Sequence, residues 1–88
     1  MNTSTEAIRL LQQALTTTRQ AADTIEDLIA EHEYQDVAGL VTHAAAALLE
    51  SAALLMQKED ETALQTLEHA DDLLDAVYDI IDADLDEE

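Results

Sequence analysis

The chain has 88 residues, and its 21 acids against three Lys and Arg give a formal net charge of −18. That balance disfavours direct contact with DNA, RNA or anionic lipid and favours basic partners or cations. With no Cys, no Pro and one Gly, disulfides and thiolate metal sites are excluded and turn-rich β folds are disfavoured.

A chain this short makes one small domain, residues 1–88, and its modest core leaves pairing with another subunit useful. Only Tyr34 and Tyr78 are aromatic, so that core is built from Leu, Ile, Val and Ala. The expected fold is all-α: an up-down-up three-helix bundle with helices over about residues 4–31, 37–57 and 60–85.

The first helix opens on Thr3-Ser4-Thr5-Glu6, which fits a capping box in which Thr3 and Glu6 satisfy each other's free amides. Ile8, Leu11, Leu15, Thr18, Ala22, Ile25 and Ile29 then alternate steps of three and four, an unbroken heptad seam. Ala7, Ala14, Ala21 and Leu28 widen it on one flank, as a bundle helix requires. Its outer face, with Gln12, Gln13, Thr16, Thr17, Arg19 and Gln20, is nearly uncharged.

The segment "EHEYQD" (31–36) reads as a short connection, with Asp36 as the expected N-cap of the second helix. That helix is apolar almost all round, with one narrow polar strip through Asp36, His43, Glu50 and Gln57. Such a helix is expected to be buried on most sides. Two flanking helices cannot easily cover it, so a homodimer or a hetero-complex through this helix is expected, with Leu40, Ala44, Ala47, Leu54 and Leu55 near the contact. It is long enough to cross a bilayer. His43 and Glu50 within it, without basic flanks or an aromatic belt, speak against a membrane partner.

"QKEDE" (57–61) forms the second turn, with Asp60 as the candidate cap. The third helix places Ala63, Leu67, Ala70, Leu74, Val77 and Ile81 inward at heptad spacing. Opposite them run Glu68, Asp72, Asp75, Asp79, Asp82 and Asp86, a second heptad made entirely of carboxylates. No cation stands a turn away to offset them. Like charges so placed repel by about 0.2–0.5 kcal/mol per pair, and the helix dipole disfavours anions near the C-terminus.

The charge is also localised. Residues 1–58 hold eight acids and three cations, a balance of −5, whereas residues 59–88 hold thirteen acids and no Lys or Arg, a balance of −13. Charge gathered on one helix suggests a localised partner. At ~1.5 Å rise per residue the stripe offers a carboxylate every ~5.3 Å, against a phosphate every ~3.4 Å along one strand of duplex DNA.

In general character these residues resemble the small acidic helical inhibitors that phages and mobile elements direct at host-defence nucleases. It is a likeness of type that names no family. What it implies is inhibition of a nucleic-acid-binding protein, through its basic surface, by charge mimicry. Two other readings stand beside it: a helical adaptor or scaffold that dimerises or docks a partner helix, with the acids serving solubility, and a weak divalent-cation binder around His69, Glu68 and Asp72.

Catalysis is not expected, because no nucleophile–base pattern or phosphate-cradling loop is present. No cofactor and no resident metal are expected either, since no His has a Glu three residues before it in the manner of bundle di-metal sites. The opening "MNTSTEAIRL" has neither the basic region nor the apolar run of a signal peptide, and with the lack of Cys this leads to a cytoplasmic expectation.

Overall fold

The structure is a computed structural model that describes residues 3–28 and 34–86, the side chain of Asp86 excepted. It contains three helices, α1 (Ser4–Glu26), α2 (Gln35–Met56) and α3 (Asp60–Asp86), and no strand among the described residues. They form a helical bundle in which α1 packs on α2 and α2 packs on α3. Among the described residues α1 and α3 do not pack against each other.

The arrangement is therefore open. The Cα radius of gyration is 15.4 Å, against roughly 12 Å for a compact domain of this length. Two buried lines on α2 give the reason. Val37, Ala44 and Ser51 form one line, and Gly39, Ala46 and Ala53 the other. A two-residue offset is about 200° around a helix of 3.6 residues per turn, so α2's neighbours sit on opposite sides of it.

Small side chains dominate these seams. The buried apolar residues are Ala22, Val37, Ala44, Ala46, Ala47, Ala53, Ala63, Ala70 and Val77, and the largest fully buried side chain is Ser51. Ser51 is satisfied locally, donating its hydroxyl to Ala47 O at 2.7 Å and Leu48 O at 3.1 Å. The expected α3 seam thus divides by size. Ala63, Ala70 and Val77 are buried, while Leu67 and Ile81 of the same seam stay over a third exposed. Close approach through small residues pushes the larger ones onto the flanks.

α1 begins with half of the expected capping box: the Glu6 amide donates to Thr3 Oγ1 at 3.2 Å, a cap that contributes about 1 kcal/mol, while the Glu6 carboxylate turns to Arg9. Its inward seam also holds, with Ala22 buried and Ile8, Leu11, Leu15, Thr18 and Ile25 half-buried. The helix ends at Glu26 rather than near 31; the seam's Ile29 and the first half of the expected connection, 31–33, lie outside the described residues. Glu26 and the C-cap Asp27 crowd the negative end of the dipole with no basic residue in the last turn, which favours early termination. Gln35 serves that end, its Nε2 donating to Ile25 O at 2.8 Å.

Asp36 does not cap α2. The N-cap is Tyr34, without a side-chain cap bond, and Asp36 sits in the first turn where its charge meets the positive dipole end. Asp60 likewise lies inside the first turn of α3 rather than before it. At the α2–α3 turn the Lys58 amide donates to Leu55 O at 3.1 Å and the Glu59 amide to Leu54 O at 2.9 Å, the paired bonds of a Schellman ending.

That ending sets Lys58 at φ 63°, the left-handed region where a Cβ costs about 1–2 kcal/mol. Lys58→Gly should raise unfolding stability by about 1 kcal/mol in urea titrations; an unchanged or lowered midpoint would count against strain at this turn. Gly39 is the opposite case. A Cβ built there meets nothing within 4 Å, so packing does not require the glycine. Gly39→Ala should stabilise by about 0.5–1 kcal/mol through helix propensity and unfolded-state entropy. A loss of stability on calorimetry would mean that α2 shifts against α1.

Candidate functional site

Three surfaces follow from this arrangement, and each can be read from helix phase. On α3 the buried Ala63, Ala70 and Val77 turn toward α2. Glu68, Asp72, Asp75, Asp79 and Asp82 are all exposed, and they lie about half a turn from that buried line. They share the outer edge of a single 27-residue helix, about 40 Å long. The sixth expected member, Asp86, ends α3, and its side chain lies outside the described set.

The chain's cations are engaged elsewhere. Arg9 pairs with Glu6 through its Nε at 3.2 Å and its Nη2, and this hydrogen bonding raises the Arg9 pKa. Arg19 Nη2 reaches Glu50 Oε2 at 3.3 Å, and Lys58 occupies the α2–α3 turn. Among the described residues no ion pair involves α3. The carboxylates on its outer edge are therefore uncompensated.

Salt should reveal the repulsion. Raising NaCl from 0.15 M to 1 M shortens the Debye length from about 8 Å to about 3 Å, below the ~5.3 Å carboxylate spacing. If the stripe repels itself by about 1–2 kcal/mol, the melting temperature should rise by roughly 5–10 °C. A melting temperature indifferent to salt would show an unfrustrated stripe.

The second surface is a polar cleft bounded by all three helices. Arg19 and Asp23 of α1, His43, Ala46, Ala47 and Glu50 of α2, and His69 and Leu73 of α3 line it. His43 Nε2 lies 2.6 Å from Glu26 Oε1. The Glu26–His43 and Arg19–Glu50 pairs step seven residues along α1 and seven back along α2, which fixes their antiparallel register. Sequence reasoning placed His43 and Glu50 on one strip but missed the cleft, because it did not show which side of α2 each neighbour takes. Around His69, Glu68 and Asp72 no metal cage forms; among the described residues no group of three or more His, Asp or Glu could hold an ion.

The third surface is the opposite side of α2, and it is apolar. Ala38, Val41, Ala45, Leu48, Ala52 and Leu55 follow each other at steps of three and four, and Val41, Leu48 and Leu55 remain 45%, 46% and 51% exposed. Of the residues expected at an oligomer contact, only Leu55 lies here. Ala44 and Ala47 are buried within the monomer, and Leu40 and Leu54 are half-buried. By length and composition α2 could cross a membrane; here its two sides pack on α1 and α3.

The class of protein so defined is an open, all-helical bundle with an acidic edge, a polar cleft and an apolar face. No protein-family model matches the chain, and no curated protein or solved structure matches it.

Proposed function

We propose that this protein is a non-catalytic interaction module that inhibits a nucleic-acid-binding protein, its α3 edge taking the place of a nucleic-acid strand in a basic groove. One observation carries the reading: the uncompensated carboxylates of Glu68, Asp72, Asp75, Asp79 and Asp82 stand exposed along one edge of a single long helix. Lys and Arg rows that grip phosphates gain affinity by neutralising a regular line of charge. A line of helical carboxylates at ~5.3 Å spacing offers them the same sign on a rigid support.

The test is competition. A panel of basic nucleic-acid binders, bound to a labelled duplex, is titrated with the protein while anisotropy is followed. The reading expects release of the duplex from at least one binder, with an apparent affinity that falls steeply with salt. Release from none, with pull-downs recovering only neutral or acidic partners, would overturn it.

The exposed row on α2 favours a second reading, the helical adaptor, in which apolar contact rather than charge selects the partner. Its partner would keep binding in high salt.

A further inference from the structure

We propose that the apolar face of α2 is a self-association surface, on which a second copy of this chain stacks face to face about a two-fold axis running along α2. The monomer's cores are made of alanine, so much of its larger aliphatic surface stays in water. Burying one Leu, Ile or Val fully is worth about 1.5–3 kcal/mol, and Val41, Leu48 and Leu55 each keep about half of theirs exposed. A contiguous exposed apolar row is unusual on a monomer.

The same side of the neighbouring helices extends the patch. Helix phase places Leu10 and Leu28 of α1, and Leu67 and Ile81 of α3, on the side of the molecule that carries Leu48; all four are exposed. The broadest aspect of the molecule measures 51 by 28 Å, larger than the roughly 800 Å² per partner that a standard interface buries. The alternation of Ala38, Ala45 and Ala52 with Val41, Leu48 and Leu55 sets small residues between large ones, which suits knobs-into-holes packing.

Charge distribution selects the orientation. Beside the apolar face, α3 carries Asp71, whereas the matching flank of α1 carries Thr17, Thr24 and Glu6, whose charge Arg9 offsets. With the axis along α2, each copy's α1 covers its partner's α3, and every acidic flank meets one without net charge. An axis across the helices would set α3 on α3, carboxylates facing carboxylates, which is destabilising. The molecule is therefore complementary to itself in one of the two isologous arrangements. The stack leaves the two acidic edges on opposite sides, so the dimer offers a charged strip at each end of its width.

The experiment uses the full chain. Sedimentation equilibrium between micromolar and millimolar concentration should give twice the 9.6 kDa monomer mass. Leu48→Lys should return the monomer mass with helical circular dichroism intact; lysine is a good helix former, and it lowers the net negative charge, so added repulsion cannot account for dissociation.

Orientation is read with single cysteines, since the chain has none of its own. Val41→Cys and Leu55→Cys should each oxidise to a disulfide-linked dimer, because an axis along α2 brings each position beside its own copy, within the distance a disulfide spans. A parent chain that stays monomeric throughout overturns the proposal. So does a dimer that survives Leu48→Lys, or cross-linking seen only when the two cysteine variants are mixed. Should Leu48→Lys fail to fold, the two cysteine variants decide alone. The acidic edge takes no part in these measurements, so their failure would leave the competition test untouched.

Discussion

Replacing Asp72, Asp75, Asp79 and Asp82 together with Asn should raise the melting temperature of this protein and, on the proposed function, should abolish its competition for a basic groove. The two effects have one cause. Each neighbouring pair along Glu68, Asp72, Asp75, Asp79, Asp82 and Asp86 loses one or both charges, relieving about 1–2 kcal/mol of repulsion within α3. The later replacements also remove anions from the unfavourable end of the helix dipole. Asn is no better a helix former than Asp, so propensity changes little.

Binding moves the other way. Four ion pairs at about 0.5–1 kcal/mol each amount to a loss of roughly 30- to 1,000-fold in affinity, with a shallower salt dependence. The rise of melting temperature with NaCl should shrink in this variant, tying the stability gain to charge. A variant that competes as well as the parent would reduce the carboxylates to a solvated face and move attention to the apolar side of α2.

The second large effect concerns the seams. Ala70→Leu adds apolar volume to a residue that is 1% exposed, in a helix where Leu is nearly as favourable as Ala. Composition alone would rate the change neutral or helpful. Because α3 meets α2 through small side chains, the larger one has nowhere to go without parting the helices. Overpacking of this kind costs about 1–3 kcal/mol, and near the upper end it lowers the melting temperature by roughly 10–20 °C for a domain this small. Leu64→Ala, at a 57% exposed position, should cost well under 1 kcal/mol. If Ala70→Leu melts with the parent and Leu64→Ala falls far below it, the leucines rather than the alanines hold the bundle.

What the sequence determined by itself was periodic and local. The number of helices, the Thr3 cap, the inward seam of α1 and the outward phase of the α3 carboxylates all follow from 3.6-residue repetition of unlike residue types, and each stands in the structure. The end of α1 was less legible, because neither Gly nor Pro marks it; the Gln35 side chain that serves the Ile25 carbonyl comes from beyond the turn.

Tertiary structure alone decided how α2 is used. A helix apolar on nearly every side has no phase to read, so its sequence could not say which sectors meet α1 and α3. Side-chain size took part in that. Ala44 and Ala47 allow close approach and went inside, while Val41 and Leu48, which hold neighbours farther off, were left facing out. Hydrophobicity chose the helix to be buried, and the placing of α1 and α3 on two of its sides chose the face to be left open.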